Sequence, residues 1–306
     1  MSDSKHTYVY LGSGSYGASI LKQLLASDAA QCLKVVTLPD AKVGRKQRLT
    51  PTAVKNIAEE HACEIVEVTS SEEIVSALEG IEPDFIVVCD FGLILKQSVI
   101  DLPRLEILNV HPSLLPKWRG ASPIRAAIRA GDKLSGVSIM RVVKRLDAGP
   151  VYISQGFDIS EMEYNAVFRR AAHIGSDLLL ETFDLVASGV TPAEQEGDPE
   201  YCYKLLKSDG MLDFHEHSAE DVVNMLRSYL DWPTVYFEYE GVRFRVLEAT
   251  TSPMALKPGE FLVADGLLHI GASSGSVSIV EFQPESKRAM KVSHFVRGKH
   301  DFFPRQ

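Results

Sequence analysis

The chain has 306 residues, 45% of them hydrophobic and 24% charged, with a formal net charge of −9. That balance belongs to a folded chain long enough for two domains, and it excludes wholesale disorder, a collagen-like repeat and a pure coiled coil. The longest apolar runs, such as 85–89 and 178–180, fall far short of the roughly 20 residues a membrane span needs, so no membrane partner is expected. The polar start, Met-Ser-Asp-Ser-Lys-His, shows no secretory or transit signal. Cys32, Cys63, Cys89 and Cys202 are scattered, with no C-x-x-C pair. Neither a disulfide framework nor a zinc site is expected, and the expected location is cytoplasmic.

In chain order, the first half alternates strand and helix signals. Residues 7–11 form a short β-rich run ending at Gly12, and 16–26 follow with helical spacing. A strand at 33–37 precedes a helix over 51–61 that carries Pro51 in its first turn. A strand at 64–68, a helix over 72–78 and the apolar strand 85–89 continue the pattern. Strands at 106–110 and 137–143 flank a helix at 124–130, and 168–185 reads as a long amphipathic helix. Such alternation predicts an α/β fold, a Rossmann-like, mostly parallel sheet over residues 1–190. Residues 191–205 read as a linker that opens with an acidic stretch holding Pro192 and Pro199. Beyond it, a helix at 221–230 precedes short β-rich runs at 234–239, 242–250, 259–263, 267–270 and 277–282. Turn residues separate these runs, which predicts a small OB-like β-barrel domain over 206–306.

Charge is unevenly spread. Residues 42–55 hold five cations and no acid, and Lys117, Arg119, Arg125 and Arg129 stand in 107–131 without an acid. From 286 to the end, six cations face Asp301 alone. Each run by itself is an ordinary solvated face. Three of them in an acidic chain leave room for an anionic partner, nucleic acid included.

Gly12-Ser-Gly14-Ser-Tyr-Gly17 is a formal G-x-G-x-x-G between a strand and a helix, and Asp40 follows near the end of the next strand. A dinucleotide-binding turn needs that arrangement, with glycines for close backbone approach and a helix N-terminus for phosphate. A tight strand-to-helix turn in any α/β sheet looks the same, so a nicotinamide-dependent oxidoreductase is one open reading.

A longer signal is Leu108-Asn-Val-His-Pro-Ser-Leu-Leu-Pro-Lys-Trp-Arg-Gly-Ala-Ser-Pro-Ile124. Asn109 and His111 sit two apart at a strand end, so their side chains can point the same way. In open α/β sheets that end is where ligands bind. Asp147 follows in the Arg145-Leu-Asp-Ala-Gly-Pro loop. A carboxylate there can hold the imidazole's other nitrogen and fix its tautomer or charge. No second His or acid lies at ligand spacing from His111, so no metal is expected.

This stretch resembles the folate-dependent formyltransferases, whose signature is Asn-x-His before Ser-Leu-Leu-Pro and a distant Asp in a Leu-Asp-x-Gly loop. The wider pattern is similar to the members that act on methionyl-tRNA. Leu38-Pro-Asp-Ala-Lys-Val-Gly-Arg with its basic continuation to Lys55, Phe91-Gly-Leu-Ile-Leu95, Lys117-Trp-Arg-Gly-Ala-Ser-Pro123 and Tyr203-Lys-Leu-Leu-Lys207 all fit. The resemblance covers most of 7–250 and is strongest over 85–150. It departs at the first turn, which is richer in glycine than is usual in the family. Residues 201–306 hold twelve Lys plus Arg against fourteen Asp plus Glu, where a strongly basic RNA-binding barrel is expected.

The resemblance implies that the chain, expected to be a monomer, moves a formyl group from 10-formyltetrahydrofolate to the α-amine of initiator methionyl-tRNA, for initiation of translation. It makes Asn109, His111 and Asp147 catalytic. It places folate against Ser113, Leu114, Leu115 and Pro116 and against Phe91, Gly92, Leu93, Ile94 and Leu95. It gives Arg45, Lys46 and Arg48 to the acceptor end of the tRNA, and leaves Trp118 and Arg119 to support the site. A formyltransferase acting on an amino sugar or other small amine is the alternative, and a non-catalytic RNA-binding protein of the same fold is a third reading.

Overall fold

A computed structural model describes residues 5–44, 46–299 and 301–305. They pack as two units. The first is built from residues up to 123, 135–157 and 166–202; the second from 124–134, 158–165 and 203 onward.

The strands of the first unit are β1 (His6–Gly12), β2 (Ala30–Thr37), β3 (Ala41–Val43), β4 (Arg48–Thr50), β5 (Ile65–Glu67), β6 (Phe85–Cys89), β7 (Glu106–His111), β8 (Arg119–Gly120), β9 (Leu134–Arg141), β10 (Val151–Asp158) and β11 (Tyr201–Cys202). The helices of the chain are α1 (Ser15–Leu25), α2 (Ala53–Glu60), α3 (Ser71–Ala77), α4 (Gln97–Ile100), α5 (Pro123–Arg129), α6 (Tyr164–Ala187), α7 (Ala219–Ser228) and α8 (Val292–Gly298). None of the described helices is long and apolar enough to cross a membrane.

Seven strands form one sheet in the order β10-β9-β7-β6-β1-β2-β5. From β5 to β7 all neighbours run parallel, and β9 turns antiparallel to β7. The parallel strands are apolar on both faces, as strands buried on both sides must be. Val9, Leu11, Val36, Ile86 and Ile107 pack with Ile74, Leu78 and Val99 into one core layer. Between β1 and β6 the strand order reverses direction, so β1, β6 and β7 deliver Gly12, Cys89 and His111 to one edge at a topological switch point.

Strand β10 has no counterpart among the sequence expectations. It lies at the sheet edge, and its second half, Ser154 to Gly156, is exposed, so its alternation is weak. The two-residue pair β8–β11 is likewise too short to carry a periodic signal. Within the segment read as linker, Ala193 bridges to Val151 and β11 pairs with β8, so the chain is tied to the first unit there.

The second unit carries β12 (Tyr236–Tyr239), β13 (Val242–Ser252), β14 (Phe261–Ala264), β15 (Leu267–Gly271), β16 (Ser276–Pro284) and β17 (Met290–Lys291). Five of them form a curled antiparallel half-barrel, β12-β13-β16-β15-β14, with β17 beside β16. Register shifts around Glu248 mark an irregularity in β13, of the kind that bends a strand. Phe237, Phe244, Phe282, Phe295 and Phe303 fill the core, with Val222 and Met225 of α7. The basic C-terminal stretch is folded. Phe295 of α8 and Phe303 enter that core, and the Val263 N–H donates to the Pro304 carbonyl at 2.8 Å. The cations of 107–131 are largely engaged within their own units. Arg125 bonds the Ser228 carbonyl and Asp231 and lies over the Tyr164 ring at 3.6 Å, and Arg129 pairs with Asp221 at 2.7 Å.

Helix α7 starts at a capping box. The Asp221 carboxylate accepts from the Ser218 N–H (2.9 Å) and hydroxyl (2.7 Å) while Ser218 caps the Asp221 N–H. Burial pushes the Asp221 pKa up, but the Ser218 donors and Arg129 outweigh it and hold it at about 2. A depressed pKa contributes stability above the unfolded carboxyl's pKa near 3.8 and loses it as the pH falls towards 2. Asp221→Asn is therefore expected to cost about 1 kcal/mol near neutral pH, the pair being partly exposed. The gap should close between pH 4 and pH 2. Urea unfolding of both chains at stepped pH checks this, and a gap that stays constant with pH would contradict it.

Candidate active site

At the first strand-to-helix turn the glycines are required by packing. A Cβ on Gly14 would lie 1.8 Å from Asp90 Oδ2, and one on Gly17 would lie 2.5 Å from the Cys89 carbonyl. The N–H groups of Ser13 and Gly14 both donate to the Asp90 carbonyl at 3.0 Å, and the Tyr16 N–H donates to Asp90 Oδ2 at 3.3 Å. The protein packed around Asp90 raises its pKa, against the backbone N–H groups of Tyr16 and Gly17, which lower it. A carboxylate thus stands at the N-terminus of α1, where a dinucleotide's pyrophosphate would have to sit. Asp40, the acid that would take a ribose, is paired with Lys55 at 2.7 Å, and the same ammonium holds Glu67 at 2.6 Å. The glycine motif is thereby explained as a packing turn.

Strand β7 is held by β6 on one side and β9 on the other, with Asn109 opposite Val88 and Met140, and His111 opposite Ser138. Strand alternation then places Asn109 and His111 on one face of the sheet at its C-terminal edge. The Asn109 side chain is half-buried and has no hydrogen-bond partner among the described residues. His111 is 4% exposed. Its Nε2 lies 2.9 Å from the Trp118 carbonyl. A carbonyl only accepts, so Nε2 carries the hydrogen and Nδ1 is left facing Asp147 Oδ2 at 3.8 Å. That distance is too long for a hydrogen bond and short enough for a charge interaction. The expectation that Asp147 fixes the tautomer is corrected here, because the Trp118 carbonyl does so. Trp118 and Asp147 both adopt left-handed backbone, at φ 60° and φ 46°. Asp147 Oδ2 also accepts the Gly120 N–H at 2.8 Å.

Ser113 to Pro116 continue directly from β7. Ser113 is fully buried and acts as a staple, its hydroxyl donating to the Lys117 carbonyl at 2.5 Å and its backbone carbonyl accepting from Ser138 Oγ at 2.8 Å. Ser138 Oγ in turn accepts the Leu115 N–H at 3.2 Å. Leu114 packs on Gly136, where a Cβ would come within 2.5 Å of its Cδ2. Phe91 to Leu95 leave the end of β6. Leu95 is buried, Phe91 and Leu93 are half-buried against the same core, Gly92 is open and Ile94 is 89% exposed. The edge thus gathers 91–95, 109–116 and Asp147. The basic loop leaves the same edge after β2, as the β3–β4 hairpin. Lys46 and Arg48 are exposed there, and Arg45 lies outside the described residues.

Three contributors are not singled out by the sequence. Ser138 is one of many serines. Gly120 acts through its backbone N–H. Gln195 lies in the stretch read as linker, and its Nε2 donates to the carbonyls of Asp147 and Gly149.

The formyl transferase family matches residues 6–182, and the formyl transferase C-terminal domain matches residues 204–300. A methionyl-tRNA formyltransferase of Dehalococcoides mccartyi is 34% identical over 301 residues, 96% of each chain. One of Macrococcus caseolyticus is 36% identical over 297 residues, 95% of this chain and 94% of that one. Among solved structures, HypX from Aquifex aeolicus in complex with tetrahydrofolic acid aligns with a TM-score of 0.62 at 17% identity. That match covers 99% of this chain and 49% of HypX, so the chain spans about half the length of that protein. The methionyl-tRNA formyltransferase from Clostridium thermocellum gives a TM-score of 0.56 at 15% identity, over 81% of this chain and 94% of that one. At such identities the structural matches show a shared fold.

Gly14→Ala is expected to lower stability by about 1–3 kcal/mol through overpacking against Asp90, and Asp90→Ala on the same chain should recover part of the loss. Thermal melts of the two variants decide. An unchanged melting temperature for Gly14→Ala would return the turn to the candidates for ligand binding.

Proposed function

The chain belongs to the formyl transferase family, and from that membership we infer that it transfers a formyl group to the α-amino group of initiator methionyl-tRNA, for initiation of translation. Relatives named for that activity match across both units at 34–36% identity, which favours methionyl-tRNA over an amino sugar as acceptor. The donor in this reading is 10-formyltetrahydrofolate, held between the 91–95 and 113–116 loops. The observation that carries the site is Asn109 and His111 on one strand face, with the Asp147 carboxylate 3.8 Å from the free imidazole nitrogen.

The substrate supplies its own nucleophile. The protein must let the amine lose its proton, stabilise the tetrahedral oxyanion, and let the folate nitrogen leave protonated. Asn109 donates an amide N–H to the oxyanion. Such a preorganised donor is worth about 3–4 kcal/mol in the transition state. With Nε2–H committed to the Trp118 carbonyl, Nδ1 of His111 is the nitrogen that exchanges a proton with substrate. The 3.8 Å gap to Asp147 leaves each group able to meet a reacting atom or a water between them. Asp147 accepts the amine's proton. The first unit carries this chemistry and the second holds the tRNA. Although 201–306 is acidic overall, Lys287, Arg288, Lys291 and Arg297 are all exposed between the end of β16 and α8.

Asn109→Ala, His111→Ala and Asp147→Ala are each expected to lower kcat by at least about 10²-fold with little change in folate affinity, because transition-state donors add little to ground-state binding. Steady-state formylation of charged initiator tRNA measures this, and a variant with near-normal kcat leaves the catalytic set.

The hairpin loop gives a separate expectation. Lys46→Ala and Arg48→Ala should raise KM for methionyl-tRNA, leave folate binding unchanged, and flatten the slope of log K against log salt by about one per contact. Arg45→Ala belongs to the same series. Should deletion of 43–48 leave the tRNA KM untouched, the loop is not a tRNA contact.

A further inference from the structure

Residues 191–201 are mostly exposed, and only Pro192 and Gln195 are turned inward. The Gln195 carboxamide uses all four of its hydrogen-bonding positions. Its Nε2 donates to the carbonyls of Asp147 (2.9 Å) and Gly149 (2.7 Å). Its Oε1 accepts from Arg119 Nε (3.1 Å) and Nη2 (2.7 Å). Arg119 is 6% exposed, and its own N–H donates to the Glu200 carbonyl at 2.8 Å. The residue after it, Gly120, is the one whose N–H holds the Asp147 carboxylate. Asp147 is therefore gripped twice, by its carbonyl and by its side chain, from two neighbouring anchors.

The grip has a physical purpose. At φ 46°, Asp147 holds a left-handed conformation that costs a residue with a Cβ some strain, less for aspartate than for most, so contacts that hold the loop help keep it there. Gln195 supplies such contacts by tying two carbonyls of the same loop, at Asp147 and Gly149, to one rigid amide. The amide itself is located by the Ala193–Val151 bridge before it and the β8–β11 pair after it. A glutamate could keep the Arg119 contact, but it would set a carboxylate oxygen against both carbonyls.

We propose that Gln195, clamped by Arg119, is a positioning residue for formyl transfer that holds the Asp147 loop so that the carboxylate stays opposite His111 Nδ1. The proposal rests on Asp147 being catalytic, as inferred above.

The test is a double-mutant cycle in kcat. Gln195→Ala and Gln195→Glu are made in the natural chain and in Asp147→Ala, and formylation of charged initiator tRNA is followed with 10-formyltetrahydrofolate as donor. In the natural chain both substitutions should lower kcat by about 10- to 100-fold, with KM for each substrate within about twofold. In the Asp147→Ala background the same substitutions should cost less than about twofold more, because their effect passes through a side chain already removed. Gln195→Glu keeps the Arg119 partner and carries the test if Gln195→Ala fails to fold. Equal losses in both backgrounds overturn the proposal, as does a raised KM with kcat retained. A near-normal kcat for Asp147→Ala removes Asp147 and Gln195 together. A natural chain that leaves methionyl-tRNA unformylated overturns the functional inference itself, which separates that failure from the failure of Gln195 alone.

Discussion

The buried ring of His111 meets a backbone carbonyl at one nitrogen and a carboxylate's charge at the other, and that arrangement brings distant parts of the first unit together. Nε2–H goes to the carbonyl of Trp118, which must turn into left-handed backbone. Nδ1 goes towards Asp147, whose backbone is left-handed as well. The conformation is strained for tryptophan and milder for aspartate, and neighbours hold both. The Ser113 hydroxyl on the Lys117 carbonyl braces the chain just before Trp118, and Gly120 and Gln195 brace Asp147. Residues from 111 to 195 meet around this ring at one sheet edge.

The sheet makes that edge available. Parallel strands buried on both faces have no freedom in register, because a slip of one residue would turn apolar side chains away from their core. The end of β7 is located by pairing with β6 and β9, and the amide of Asn109 is left as a donor on the same face as the ring. The glycine-rich turn after β1 serves the same edge, letting the end of β6 approach closely enough for Asp90 to cap α1. In the second unit an aromatic core does the comparable work. Phe295 and Phe303 anchor the C-terminal stretch to the half-barrel, so its exposed cations stand on fixed structure.

Much of this was legible in the residues. The apolar run 85–89 announced a central strand, Asn109 and His111 showed the two-residue spacing of one strand face, and five β-rich runs beyond 230 marked the antiparallel sheet. Other parts carried no readable period. Strand β10 is a half-exposed edge, and β8 and β11 are two residues each. Backbone groups hold the site at Trp118, Gly120, Asp147 and Gly149, and although these residues stand in the quoted motifs, residue type does not say which carbonyl or N–H makes the bond. The G-x-G-x-x-G pattern fitted two readings for a related reason. Close backbone approach requires glycine whether the approaching group is a phosphate or a neighbouring strand end, and here it is Asp90. Gln195 was hidden by its surroundings, a polar stretch in which one inward amide looks like any other.

The claim on which the chemistry depends is that His111 rests with hydrogen on Nε2, bonded to the Trp118 carbonyl, and uses Nδ1 to exchange protons beside Asp147. Nitrogen NMR of chain labelled with 15N-histidine, assigned by comparison with His111→Ala, reads the two ring nitrogens directly. The account predicts that in the neutral ring Nε2 is the protonated nitrogen and Nδ1 the bare one. A neutral ring with hydrogen on Nδ1 and a bare Nε2 would contradict it, because the Trp118 carbonyl would then face a lone pair and Nδ1 could no longer be the proton carrier.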